Sequence, residues 1–438
     1  MEKLEILEIL NDWNYWNKDF PETFSRKMYD EKIASYMVND EIIVLKGIRR
    51  CGKSTLLLNQ IKRLVKNGVD KKDILFVNLE DPRFLNHLDV ALLQKIKDVY
   101  LEYLSPTQKP YIFLDEIQNV PFWEKWVNKE YELGLSHVVI TGSNSSMLSS
   151  EIASTLSGRY LSLEVYPLSF CEFLDFKNID VETKLDFVNK KIELSRAFEE
   201  FVNFGAFPKV LAYNQAEKRE LLTTYKDSIL LKDIVARYKL KNFTTLEEIS
   251  AFLLANTGII QSTSKIKNNF KISFDMARDY VEYLKNAYML IEIKKFDYSL
   301  KKQNLNDRKY YSADLGLSNL FRVANLQHRG SDLETIVAIE LLRRGYEIFY
   351  YKTSSNQEVD FVVIQENKII ELIQVSKSLE SEKTKKRELE VFEKTINELA
   401  LEGVKCTVIT EDKSQEFKLD NTTFYIKNII EWLLYCPF

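Results

Sequence analysis

The eight residues from Gly47 to Ser54 read GIRRCGKS, which fits the spacing G-x-x-x-x-G-K-[ST]. Glycines at these positions let backbone N–H groups turn inward around a phosphate. Lys53 then reaches the β- and γ-phosphate oxygens, and the Ser54 hydroxyl binds Mg2+. Gly47, Arg50, Cys51, Gly52, Lys53, Ser54 and Thr55 are therefore the candidate nucleotide-binding residues. Further along, YIFLDEIQNV sets Asp115 and Glu116 at the end of an apolar run. Asp115 there completes the Mg2+ shell and Glu116 polarises the attacking water, so the pair points to hydrolysis rather than binding alone.

Two further stretches carry chemistry with less exclusive readings. HVVITGSN ends in polar residues, and Asn144 or Ser143 serves there either as a sensor that orients the lytic water or as part of an ordinary turn. LSGRY places Arg159 before a strand. That arginine either stabilises transition-state charge across a subunit boundary or is solvated or salt-bridged. Arg49 and Arg50 bring positive charge to the phosphates or face a neighbouring domain.

These residues need elements to hold them. EIIVLKG (41–47), ILFVNLED (74–81), YIFLDEI (111–117), HVVITGSN (137–144) and the LSLEVYP run ending at 167 are β-rich and nearly continuous in apolar character. Such runs suit a parallel sheet covered on both faces. KSTLLLNQIKRLVKNG reads as the helix after the phosphate loop, with a C-terminal glycine. The alternation predicts an α/β fold, a P-loop NTPase core with a parallel sheet over residues 1–167 that includes an N-terminal helical segment. Residues 168–240 have helical period, interrupted at FGAFP, and read as a helical lid. Residues 241–323 give helical stretches and then two strand-like runs, MLIEIKKF and KYYSADLG, in the order of a winged helix-turn-helix. Residues 324–438 give a helix, the strands YEIFYYK, EVDFVVI and IIELIQV, a long charged helix (379–400) and the strand KCTVIT.

With 438 residues the chain exceeds a single core. An apolar share of 45% and a charged share of 29% make it globular rather than disordered. A net charge of −4 excludes a global attraction to polyanions, so any nucleic-acid contact is local. Cys51, Cys171, Cys406 and Cys436 form no CxxC pair, which fits a reducing compartment. The three histidines disfavour a histidine-based metal centre. The N-terminus is unlike a signal peptide, and no apolar run approaches the roughly 20 residues of a membrane helix. A cytoplasmic chain is expected.

GIRRCGKSTLL, LEDP, YIFLDEIQNV, TGSNSSMLSSEIASTLSGRY and YPLSFCEF together resemble a family of bacterial and archaeal AAA-like ATPases whose C-terminal part has no assigned role. LKDIVARYKLKN, KYYSADLGL, LETIVAIELLRRGYEIFYYKTSSNQEVDFVV and the IQVS run extend the resemblance over nearly the whole chain. The resemblance implies an ASCE-type P-loop core, with an extra strand between the phosphate-loop strand and the acidic strand. It also implies ATP, with Mg2+, rather than GTP.

The helix expected from Ser273 to Leu284 carries Asp275, Arg278, Asp279 and Glu282, a net acidic set that suits base reading poorly. Residues 239–309 nevertheless hold 13 basic against 8 acidic residues, with Lys294, Lys295, Lys301, Lys302, Arg308 and Lys309 around the wing. Non-specific duplex contact and packing between domains are the two readings; a protein partner or an oligomer stays open. In the last domain Glu334 and Asp360 follow the layout of PD-(D/E)XK nucleases and form a candidate second metal site. On the strand after Asp360, however, Gln374 replaces the expected carboxylate and Ser376 the expected lysine. Glu371 and Lys377 lie an odd number of positions away, so strand alternation turns them from Asp360. The expectation is a nuclease-like fold with a degenerate site.

Overall fold

Five strands carry the phosphate loop: β1 (Ile42–Lys46), β2 (Ile74–Asn78), β3 (Tyr111–Asp115), β4 (His137–Gly142) and β5 (Tyr160–Glu164). All pair in parallel, in the order β2-β3-β4-β1-β5, in the computed structural model, which describes residues 1–145, 155–323, 328–419 and 422–434. β4 thus lies between β1 and β3, as the extra strand of an ASCE core does. Residues 146–154 of the TGSNSSMLSSEIASTLSGRY stretch, and Cys436, lie outside the described residues.

The continuous apolar strands are explained by cover on both faces. Ile42, Val44, Leu75, Val77, Ile112, Leu114 and Ile140 pack into one core with α1 (Lys3–Trp13), α4 (Val90–Leu104) and α5 (Trp123–Glu132). Side-chain alternation sends Ile43, Leu45, Phe113 and Val139 to the opposite face, where they are buried as well. Between α1 and β1 lies α2 (Lys27–Tyr36), and after β1 comes α3 (Lys53–Lys66). The edge of β2 is not left bare. Asn14 accepts from the Phe76 N–H (2.7 Å) and donates to its carbonyl (2.8 Å), while the Trp16 indole donates to the Ile74 carbonyl (2.9 Å). Two side chains therefore stand in for a neighbouring strand and block edge-to-edge pairing.

The chain divides into two compact units, Met1–Val165 with Asn286–Tyr288, and Tyr166–Lys285 with residues 289 onward. In the second unit, helices span Phe170–Phe176, Lys191–Phe204 and Gln215–Ser228. A helix (Phe243–Ala255), β6 (Ile259–Gln261), two helices (Thr263–Phe270 and Phe274–Asn286), β7 (Leu290–Lys294) and β8 (Arg308–Ser312) follow. The three strands form an antiparallel sheet with β8 in the centre. Asp314 caps the turn after β8: it is buried and accepts from the backbone of Ala206 (2.7 Å) and Gly316 (2.8 Å).

After the helix Arg329–Arg343 come β9 (Glu347–Lys352), β10 (Glu358–Gln365), β11 (Lys368–Val375), the helix Glu382–Leu399, β12 (Lys405–Thr410), β13 (Gln415–Leu419) and β14 (Thr422–Asn428). They make a six-stranded mixed sheet in the order β13-β14-β12-β11-β10-β9. Val359, Val362, Leu372, Val408 and Ile426 pack there against Leu389, Val391 and Phe392 of the long helix. No described helix is long and apolar enough to cross a membrane.

Candidate nucleotide site and a second charged cluster

Gly47 follows β1 at φ 152°, and a Cβ built there would lie 2.2 Å from the Val165 carbonyl oxygen, which is backbone and cannot swing aside. The loop's path requires glycine at this position. Gly47→Ala is expected to weaken nucleotide binding at least about fivefold, because an incompatible backbone substitution costs more than ~1 kcal/mol; equilibrium binding of a fluorescent ATP analogue checks it. At the far end Gly52, at φ 107°, turns the chain into α3.

The loop brings its chemistry onto the strand ends. The Ser54 hydroxyl donates to Asp115 Oδ2 at 2.6 Å, and Thr141 on β4 donates to the other carboxylate oxygen. The same Thr141 oxygen accepts from the Glu116 N–H at 3.0 Å, fixing the turn in which Glu116 adopts φ 56°. Lys53 is 4% exposed and folds back on the loop, donating to the carbonyls of Gly47 (2.9 Å) and Ile48 (3.2 Å), with Glu116 Oε1 3.7 Å away. Burial and the charge of Glu116 raise the Asp115 carboxyl above the usual range. Burial also acts to raise Glu116, but Lys53, Arg49 and hydrogen bonds from Gln118 and Ser143 outweigh it and hold that carboxyl below its ordinary value. A hydroxyl beside a carboxylate is a hard-oxygen donor pair of the kind Mg2+ takes, so Ser54 and Asp115 fit the ion.

The other sequence candidates sort differently. Asn144 is fully buried at the end of β4 next to Ser143, which accepts from Gln118 Nε2 at 3.2 Å. Arg159 is tied to α5, donating to Asn128 Oδ1 at 2.5 Å and pairing with Glu132 at 2.9 Å; neither partner belongs to the phosphate loop. Arg49 is buried and bonds Glu80 at 2.6 Å, whereas Arg50, at φ 72°, is exposed. Thr55 is partly buried on the first turn of α3, and the Cys51 thiol is buried and free.

Arg26, which belongs to no motif, is 3% exposed; it donates to the Cys51 carbonyl at 3.1 Å and stacks on the Tyr29 ring at 4.3 Å. Asp30 accepts from Ser25, from the Arg26 N–H and from Gln60 of α3. The segment before α2 is thus bolted to both the loop and the helix that follows it.

The second unit holds another charged cluster. Glu334, on the helix Arg329–Arg343, lies with Glu358 and Asp360 of β10 so that one oxygen from each is within 4.8 Å of the others. Lys309 sits among them. Its ammonium bonds Glu334, Glu358 Oε1 (2.5 Å) and Asp360 Oδ1 (3.4 Å), and the Tyr311 hydroxyl donates to Glu334 at 2.5 Å. Of the six basic residues around the wing, Lys309 is therefore not one that reaches outward to phosphates or is solvated, since it is 2% exposed. β8 is the central strand of its sheet, and alternation puts Lys309 and Tyr311 on one face.

Gln374 faces Asp360, accepting from its N–H at 2.8 Å and donating to Glu388 at 2.6 Å. Glu371 turns the other way, to Lys405 (2.8 Å) and Thr407. The three carboxylates are a donor set that suits a divalent cation, but the lysine already neutralises part of their charge. Sequence reading missed Glu358, although its i,i+2 spacing to Asp360 on one strand is a signal.

An AAA domain model matches residues 39–174, and two domains of unknown function match residues 195–328 (DUF8612) and 329–429 (DUF4143). An uncharacterized protein of Methanocaldococcus jannaschii is 33% identical over 417 residues, covering 93% of this chain and 90% of its own. The chain belongs to that family of AAA-like ATPases. An uncharacterized protein of Haemophilus influenzae is similar too, 33% identical over 351 residues, covering 79% and 85% of the two chains. Among solved structures, a Walker-type ATPase of Pyrococcus abyssi aligns with TM-score 0.44 at 15% identity over 69% of this chain and 96% of that one. The AAA domain matched over residues 39–174 contains the loop after β1 and implies nucleotide binding.

Proposed function

We propose that the chain is a Mg2+-dependent ATPase whose nucleotide state acts on its C-terminal half. The observation that carries this reading is the joint placement of Ser54, Asp115, Thr141, Lys53 and Glu116 around one loop. Lys53 leaves the loop carbonyls for the β- and γ-phosphates. Ser54 and Asp115 hold Mg2+, which neutralises phosphate charge when bound. Glu116 polarises the attacking water, and Asn144 is the residue of β4's end assigned to sense the γ-phosphate. Arg159 acts as a finger only if it exchanges Asn128 and Glu132 for a neighbouring subunit's nucleotide.

The order helix, β6, two helices, β7 and β8 supports a winged helix-turn-helix, for which a duplex is the natural partner. Its reading helix is self-neutralised, with Arg278 paired to Asp275 (3.1 Å) and Asp279 (3.0 Å). Lys265, Lys267 and Lys271, before that helix, are exposed and form no ion pair among the described residues. Phosphate contact without base reading is the mode this supports. Steady-state ATP hydrolysis with and without duplex DNA, with Lys53→Ala as the blank, tests the proposal. Turnover above the blank that rises with DNA is expected. No turnover ends the ATPase reading, and turnover indifferent to DNA moves the partner to a protein.

A second reading, an ATP-gated nuclease, is favoured by one observation: Lys309 and Glu358 join Glu334 and Asp360, restoring the lysine and the carboxylate that Ser376 and Gln374 lack. Metal-dependent cutting lost in Asp360→Ala supports it; no cutting in any nucleotide state removes it.

A further inference from the structure

Gln118 stands two residues beyond Glu116 and joins the acidic strand end to the sensor strand end. Its Nε2 donates to Glu116 Oε2 at 2.5 Å and to Ser143 Oγ at 3.2 Å. The amide's orientation is fixed chemically: turned over, it would set its oxygen against a carboxylate, two acceptors facing each other. With the nitrogen spent on Glu116 and Ser143, the acceptor is left over. Gln118 Oε1 is buried and accepts no hydrogen bond among the described residues. A buried acceptor left unmade is costly, and such groups are usually answered by water or a ligand.

Resting on the ATPase reading above, we infer that Gln118 is a second water-orienting residue: its Oε1 and the Glu116 carboxylate accept the two hydrogens of the lytic water. Two acceptors at an angle hold both O–H bonds and leave an oxygen lone pair free to face the γ-phosphorus. One acceptor alone would let the water rotate about its single hydrogen bond. In the displacement the water oxygen forms the bond to phosphorus as the bond to the β–γ bridging oxygen breaks. The water gives up one proton to the Glu116 carboxylate, and ADP leaves with the electron pair of the broken bond. Gln118 moves no proton. It sets the direction of attack, and through Ser143 it registers any displacement of the end of β4. Position without proton transfer separates its signature from that of Glu116: a loss in kcat alone.

The test uses the full chain. Wild type, Gln118→Ala, Gln118→Met, Glu116→Gln and the double variant Glu116→Gln/Gln118→Ala are compared for kcat and KM with Mg·ATP, affinity for a fluorescent ATP analogue, and melting temperature. Gln118→Ala is expected to lose on the order of 100-fold in kcat, the scale set by a misplaced reacting group. KM and analogue affinity should stay within about threefold. The double variant should be no slower than Glu116→Gln by more than about twofold, because both residues hold the same water. If Gln118→Ala melts early, Gln118→Met keeps the bulk and is read instead. Wild-type kcat in both Gln118 variants overturns the inference and leaves the ATPase reading standing. So does a loss that falls equally on affinity, which marks a structural role, or a multiplied loss in the double variant. Wild type no faster than a Lys53→Ala blank removes the ATPase reading and this inference with it.

Discussion

Glu116→Gln should still bind ATP and hardly turn it over. Lys53 and Arg49 hold the Glu116 carboxyl below its ordinary range despite burial, so the side chain is an anion at neutral pH. Its substitution by an amide of the same shape removes that charge and the capacity to draw a proton from water. It leaves the fold of the turn intact, because that turn is set by the Glu116 N–H to Thr141 bond and not by the side chain. A loss of roughly 10²- to 10⁴-fold in kcat is expected, the range that positioned acid–base groups contribute. Affinity should hold or tighten, since an anion is removed beside an incoming polyanion. Lys53→Ala should do the reverse and lose affinity first. The pair is measured by steady-state kinetics and analogue binding on both variants. Glu116→Gln at wild-type turnover would remove Glu116 from the reaction.

The candidate phosphate site is legible because its residues are consecutive in the chain. GIRRCGKS and LDEIQ each place their groups by chain position, and strand and helix context follows from apolar periodicity alone. What the sequence could not convey was which face a polar residue takes. Lys309 belongs to a run of basic residues and reads as solvated until β8 is known to be the central strand of its sheet. Arg308, its neighbour, spends its guanidinium on the carbonyls of Gln303, Asn304 and Asn306. The Arg159 alternatives divide in the same way, since nothing in LSGRY tells that Asn128 and Glu132 lie within reach. Strand alternation did place Glu371 away from Asp360, because register in a sheet is a local rule. β13, β14 and the helix Ile429–Leu434 lie beyond KCTVIT, in a stretch without a continuous apolar run. Phe424 and Ile426 alternate with polar neighbours there, and only pairing with β12 reveals them as core. Gln118 lies within YIFLDEIQNV, but the motif is defined by its acids, and the amide's use depends on distances across two strands.

Lys309→Met should destabilise the second unit severely, and the cost should grow with pH. Lys309 is 2% exposed, and its ammonium is shared by Glu334, Glu358 and Asp360. Removing one member of a buried ion cluster strands the others, typically at about 3–5 kcal/mol. Methionine fills the same volume, so the loss reports charge rather than a cavity. The pH dependence follows from Asp360. Burial and its acidic neighbours Glu334 and Glu358 already raise that carboxyl well above its usual range, with Lys309 opposing them. A carboxyl with a raised folded pKa binds its proton more tightly in the native state than in the unfolded chain. Its contribution to stability therefore declines as pH rises from the unfolded value near 4 toward the folded one. Without Lys309 the folded pKa climbs further, so the variant should be least impaired near pH 5 and most impaired near pH 8. Hydrogen exchange of the β8 and β10 amides in the full chain, measured across that range, reads this locally without requiring the whole molecule to unfold in one step. A pH-independent loss would mean that Lys309 packs there without balancing the carboxylates. Protection restored by millimolar Mg2+ would mean that the three acids accept a divalent cation once the ammonium is gone. That outcome would turn the cluster from a closed ion network into the metal site that nuclease chemistry needs, and would make the lysine the group that decides between them.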